Sequence, residues 1–155
     1  MKPSEYYSSL VEPTIAEYES DPTNIRRAYA ACLFTYHFAD AAAVHLGSKV
    51  SDVTDDLAKL APEFILVRAI ANMSKHVVLE PSLNKGRPIP RIEDTNIGLS
   101  APYEGGIYYD GGVGYEGADP VVRIKDDKDR FHDVRWCVRE ARRAVEAYLQ
   151  RPDMQ

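Results

Sequence analysis

The sequence predicts a mostly α protein: a bundle of four or five helices with a small antiparallel β insert before the C-terminal helix. Three observations predict it. Apolar residues recur at helical spacing through most of residues 22–80 and again through 133–150. Between residues 81 and 120 that periodicity vanishes, and five of the ten prolines and most of the nine glycines gather there. The 155 residues, 45% apolar and 28% charged, suit one domain with a core of its own. Residues 1–155 therefore read as a single domain, with its helical core at about 22–80 and 133–150 and its β-like insert at about 86–125.

Taken in order, the first twenty residues carry Tyr6, Tyr7, Leu10, Val11, Ile15 and Tyr18 at near-helical spacing, interrupted by Pro13. They predict either two short helices or one bent one. Asp21-Pro22-Thr23 reads as a helix start, with an acceptor at the N-cap and proline at the first helical position. The helix runs through Ile25, Tyr29, Cys32, Leu33, Tyr36, Ala43 and Val44 to a stop at Gly47, a span of about 37 Å. Ser51-Asp52-Val53-Thr54-Asp55-Asp56 sets a cap and three carboxylates at the start of a shorter helix. Pro62 then either opens the most apolar helical stretch of the chain, Phe64–Leu79, at its first turn or marks a kink between the two helices, and Pro81 closes the helical half of the chain.

Within the insert, strand-like pieces stand at Ile89–Ile92, Asn96–Ser100, Gly106–Tyr109 and Val121–Lys125, separated by turn residues. Asp126-Asp127-Lys128-Asp129 predicts a solvated turn. Asp133 caps the last helix, whose stripe is Val134, Cys137, Val138, Ala141, Ala144, Val145, Tyr148 and Leu149.

A net charge of −5 argues against a generic nucleic-acid coat and leaves room for a local basic patch. The longest apolar run is broken by Arg68, Asn72 and Lys75, so no membrane span or membrane partner is expected. The N-terminus has no apolar leader segment. Cys32 and Cys137 both fall on apolar helix faces; two buried thiols fit a reducing, cytoplasmic setting better than a disulfide framework. Neither cofactor nor metal is expected, because the histidines and cysteines lack ligand spacing.

Several motifs compete for a functional role. Gly112-Val113-Gly114-Tyr115-Glu116-Gly117 matches G-x-G-x-x-G, but strand-like residues follow it where a dinucleotide fold needs a helix. It reads as a hairpin tip. His37 and Asp40 stand one turn apart on the long helix, the arrangement of a general base or of a polar seam through a bundle. They are candidate binding residues, with a small-molecule pocket as the corresponding function. Arg135, Arg139 and Arg142 share a face of the last helix with Arg143; they suit phosphate binding, although Glu140 and Glu146 neutralise part of that face. The strongest group is Arg68, Asn72, Lys75 and His76, which share the arc opposite the apolar face of Phe64–Leu79. No acidic residue lies between Arg68 and His76. Histidine transfers protons near neutral pH and arginine stabilises charge on a phosphate, so the four are candidate catalytic residues for metal-independent RNA cleavage.

A helical bundle with arginine and histidine on one helix face resembles the HEPN superfamily, which includes ribonucleases and non-catalytic binding proteins. The likeness covers roughly residues 22–80 and 133–150. The family motif is an arginine, a polar residue, then a histidine after a short spacer. Here seven residues separate Arg68 from His76, and Ala69 takes the polar position. The resemblance implies RNA as partner or substrate, and a homodimer in which Arg68 and His76 face their counterparts in a second subunit. The alternative function is a non-enzymatic interaction module whose insert, with Tyr103, Tyr108, Tyr109 and Tyr115, contacts a protein partner.

Overall fold

The computed structural model describes residues 1–73, 91–99, 107–108 and 119–154. The chain is mostly α, with a small antiparallel sheet before the C-terminal helix. It opens with α1 (Pro3–Tyr6), a π-helical turn (Tyr7–Val11) and α2 (Glu12–Ser20), which follow one another without a break. Next come α3 (Ile25–Leu46), α4 (Val50–Leu60) and α5 (Phe64–Met73). Strands β1 (Arg91–Leu99), β2 (Ile107–Tyr108), β3 (Pro120–Lys125) and β4 (Phe131–Asp133) lead into α6 (Val134–Leu149) and a closing 3₁₀ turn (Pro152–Met154).

Pro13 has no N–H and its ring crowds the carbonyl four residues back. The chain meets that demand by widening the preceding turn, where the Glu12 amide reaches back to the Tyr7 carbonyl. Residues 3–20 thus form one continuous helical run and not two separate helices. The extra residue in the π turn resets the helical phase, so that Pro3 and Val11 both face inward, together with Ile15 and Tyr18.

Helix α3 lies at the centre and touches α1, α2, α4, α5 and α6. Its inward residues are mostly small (Ala28, Ala31, Cys32, Ala39, Ala42, Ala43), which lets neighbours approach closely around Phe38. The helix begins three residues later than Asp21 suggests. Asn24 is the N-cap and accepts from the Arg27 amide, whereas Asp21 accepts from the side chains of Thr23 and Asn24 and shapes the turn before it. Gly47, at φ 62°, ends the helix in the left-handed conformation that a residue with Cβ resists. Lys49, not Ser51, precedes α4 as its N-cap. Helix α5 buries more of its circumference than one face: Phe64, Leu66, Val67, Ala69, Ile70, Ala71 and Met73 are all buried.

The sheet has strand order β1-β3-β4-β2 with every pairing antiparallel. Strand β1 is a single long strand with a register irregularity between Arg91 and Asn96, where two pieces were expected. Strand β4 was not anticipated. Alternation along β3 turns Val122 and Ile124 into the core with α6 beneath, and leaves Arg123 and Lys125 half-buried on the opposite face. There the Arg123 guanidinium lies 4.8 Å from the centre of the Phe131 ring and donates to Asn96. It occupies the space that a Cβ on residue 98 would need, which is why glycine stands there. Three links fix the sheet to the helices. The Val122 amide donates to the Pro22 carbonyl at 2.9 Å, the Tyr29 and Thr95 hydroxyls meet at 2.9 Å, and Asp133 caps α6 by accepting from the Trp136 amide.

The core joins all these elements. Phe38 and Tyr148 meet edge to face with ring centres 6.4 Å apart, and Tyr18, Ile15, Leu57, Phe64, Ile70 and Ile124 are fully enclosed. Cys32 and Cys137 are buried free thiols, as their helical spacing predicts. Among the described residues no helix is long and apolar enough to cross a membrane.

Candidate functional site

On α5 the residues not committed to the core are few. Arg68 and Asn72, one turn apart, are half-buried on a common stripe between buried neighbours. The Arg68 side chain makes no hydrogen bond or ion pair with any described residue. Lys75 and His76 lie outside the described residues, as do the glycine motif 112–117 and Tyr103, Tyr109 and Tyr115. Tyr108 falls in β2.

The ring of Phe64, at the start of α5, stands 6.4 Å from that of Tyr36 on α3, and Tyr36 in turn stands 5.5 Å from the imidazole of His37. His37 Nδ1 is hydrogen-bonded to Asp40 one turn further on, so the pair expected from the sequence is formed. Both remain accessible, with side-chain exposures of 29% and 47%. Helix α1 packs on α3 beside the same pair, where burial and the nearby Asp40 charge push the Tyr6 phenol up to about 12. The dyad thus sits where α1 and α5 both meet α3. Chemically it is an oriented imidazole: Asp40 holds one ring nitrogen and the other makes no hydrogen bond with a described residue.

The arginine face of α6 has another use. Arg135 donates to Glu19 at 2.7 Å and reaches Asp119 at 3.6 Å. Arg139 donates twice to the same Glu19, at 2.5 and 2.7 Å. Arg142 donates to Glu146 at 2.7 Å, to the Tyr7 hydroxyl at 3.2 Å and to Glu12 at 3.4 Å, while Arg143 pairs with Glu140. Burial alone would raise the Glu19 carboxyl, but the hydrogen bonds from Arg139 and Arg135 hold it below the usual range. These cations fasten α6 to α2 and the π turn. A phosphate would have to displace carboxylates already bound in bidentate and bridging fashion.

A further polar cluster forms at residues 126–129, where the sequence predicts a solvated turn. Asp126 is fully enclosed between β3 and β4. Its Oδ1 accepts from the amides of Lys128 and Arg130, and its Oδ2 accepts from Arg130 at 2.7–2.9 Å and pairs with His132 Nε2 at 2.9 Å. Burial would raise this carboxyl, yet His132, Arg130 and the two amides keep it far below the usual range. Every lone pair is used, so the cluster organises the hairpin and leaves nothing for a substrate. Among the described residues no three histidine, cysteine or acidic side chains are grouped so as to hold a metal ion.

The arginines of α6 are thus engaged with carboxylates, whereas the Arg68 guanidinium has no partner among the described residues. No family model, curated protein or solved structure matches the chain.

Proposed function

We propose that the protein engages single-stranded RNA through α5, with Arg68 as the phosphate contact and Asn72, Lys75 and His76 extending the same face. The observation that supports this most is the state of Arg68. A half-buried guanidinium beside Asn72 on a largely apolar helix, with no carboxylate from any described residue, has the chemistry to take an outside anion. On the HEPN-like reading two copies of the chain pair so that their Arg68 and His76 residues face each other, and His76 supplies the proton transfer for cleavage.

The test uses purified protein and a labelled single-stranded RNA pool, followed by anisotropy for binding and by gel for cleavage, with scattering mass across dilution. Binding should weaken about 10- to 100-fold on Arg68→Ala, the worth of one charge-assisted contact. Any cleavage should need no added metal and fall about 10²- to 10⁴-fold on His76→Ala. Wild-type protein that neither binds nor cuts the pool refutes the RNA reading; binding without cutting leaves a binding protein; a monomer at every concentration removes the paired site.

A further inference from the structure

Far from the described part of α5 in the sequence, the π turn, the last turn of α3 and the end of α6 border a half-open cavity of about 390 Å³. That is room for a molecule of amino-acid size. Its walls are of three kinds. Leu149 and Met154 supply apolar surface, Lys2 and His45 supply an ammonium and an imidazole, and Tyr7 and Glu146 supply a hydroxyl and a carboxylate.

The hydrogen bonding leaves these groups incompletely used. Both the Tyr7 hydroxyl and Arg142 Nε donate to Glu146 Oε1, at 2.5 and 2.7 Å, and Oε2 has no partner among the described residues. The side chains of Lys2 and His45 likewise have none. Tyr7 owes its position to the π turn that it opens, which ties that turn to α6 and fixes the Glu146 carboxylate in one orientation. The phenol is pushed up to about 12 by burial and by its bond to Glu146, so it remains a donor at neutral pH and Glu146 remains the acceptor. The carbonyl ends of α3 and α6 both border the space and favour a cation near Glu146.

We propose that this cavity binds a small zwitterion with an apolar body, its ammonium on Glu146 Oε2, its carboxylate at Lys2 and His45, and its body against Leu149 and Met154. The ligand's ammonium meets the open oxygen of a carboxylate whose other oxygen already serves Tyr7 and Arg142, its carboxylate meets the Lys2 ammonium and the His45 imidazole, and its uncharged part meets the apolar wall. This site is independent of the RNA reading of α5.

The probe is L-leucine, with L-leucinamide, which lacks the carboxylate, and 4-methylpentanoate, which lacks the ammonium, as matched controls. Calorimetric titration and melting temperature are followed on the intact chain. Leucine should bind saturably and raise the melting temperature, and each control should bind at least about 10-fold more weakly, the loss of one charge-assisted contact. Glu146→Gln and Lys2→Ala should each weaken leucine by a similar factor. Should Glu146→Gln fail to fold, Lys2→Ala and His45→Ala, both at exposed positions, carry the test with the two controls. The proposal is overturned if leucine shows no saturable binding, if either control matches it, or if none of the folded variants weakens it.

Discussion

Replacing Asp126 by alanine removes one carboxylate on which four donor groups converge. The amides of Lys128 and Arg130, the Arg130 guanidinium and the His132 imidazole all lose their acceptor in one step. Breaking a buried pair from one side costs about 3–5 kcal/mol, because the group left behind stays buried without a partner. Arg130, at 29% side-chain exposure, can recover water, whereas His132, at 9%, recovers little. The cost should therefore fall at the low end, about 3 kcal/mol, which in a chain of this size lowers the melting temperature by about 6–12 °C. Asp126→Asn keeps an oxygen for the two amides but turns an NH₂ toward Arg130 and His132, so it should recover only a minor part. The pH dependence gives a second check. The folded-state pKa of Asp126 lies below the ordinary 3.8, so its stabilisation is complete above the unfolded pKa and is lost as pH falls toward the folded one. The gap between wild type and Asp126→Ala should thus be constant around neutrality and narrow below about pH 4. Thermal melts followed by circular dichroism at neutral and acid pH measure both. A variant that melts within about 1 °C of wild type at neutral pH, or a gap that widens in acid, would show that the carboxylate does not organise the hairpin.

Other outcomes follow from the packing. Cys32 and Cys137 are enclosed and their thiols are pushed up by burial, so a thiol reagent should label neither in the native protein and both after denaturation; rapid native labelling would take them out of the core. Glu19→Ala should release Arg135 and Arg139 together and lower stability by about 1–2 kcal/mol, discounted for the partial exposure of the cluster, with the effect fading as pH falls below about 4 because the Glu19 carboxyl is held low in the folded state. Urea unfolding of Glu19→Ala beside Glu19→Gln measures it, and equal stability of all three proteins would mean that the arginine face is merely solvated.

What the sequence makes legible follows the range over which each interaction acts. The stripes of α3 and α6 and the two buried thiols are local and periodic, and they stand where the pattern puts them. The His37–Asp40 pair is legible for the same reason: its partners are one turn apart. The first twenty residues are ambiguous because the π turn adds a residue and breaks the phase on which periodicity depends. Arg135 and Arg139 look available for phosphate because their main partner, Glu19, is more than a hundred residues away. Asp126 is the sharpest failure. Asp-Asp-Lys-Asp has the composition of a solvated turn, and only the antiparallel return of β4, too short to announce itself, brings His132 over it and shuts out water. Arg68 and Asn72 share an arc in the sequence pattern, and in the fold both are half-buried one turn apart on α5.

The link between Val122 and Pro22 has a consequence for the order in which the protein assembles. Pro22 lies in the turn between α2 and α3, and Glu19 just before it binds Arg135 and Arg139 on α6. The N-terminal helical hairpin is thus complete as local structure long before the groups it must grip have left the ribosome. Closing those contacts means searching a loop of about a hundred residues, an entropic cost that grows only slowly with loop length but must be met before any contact repays it. Late docking of the sheet onto the edge of the α2–α3 turn is the expected order of events.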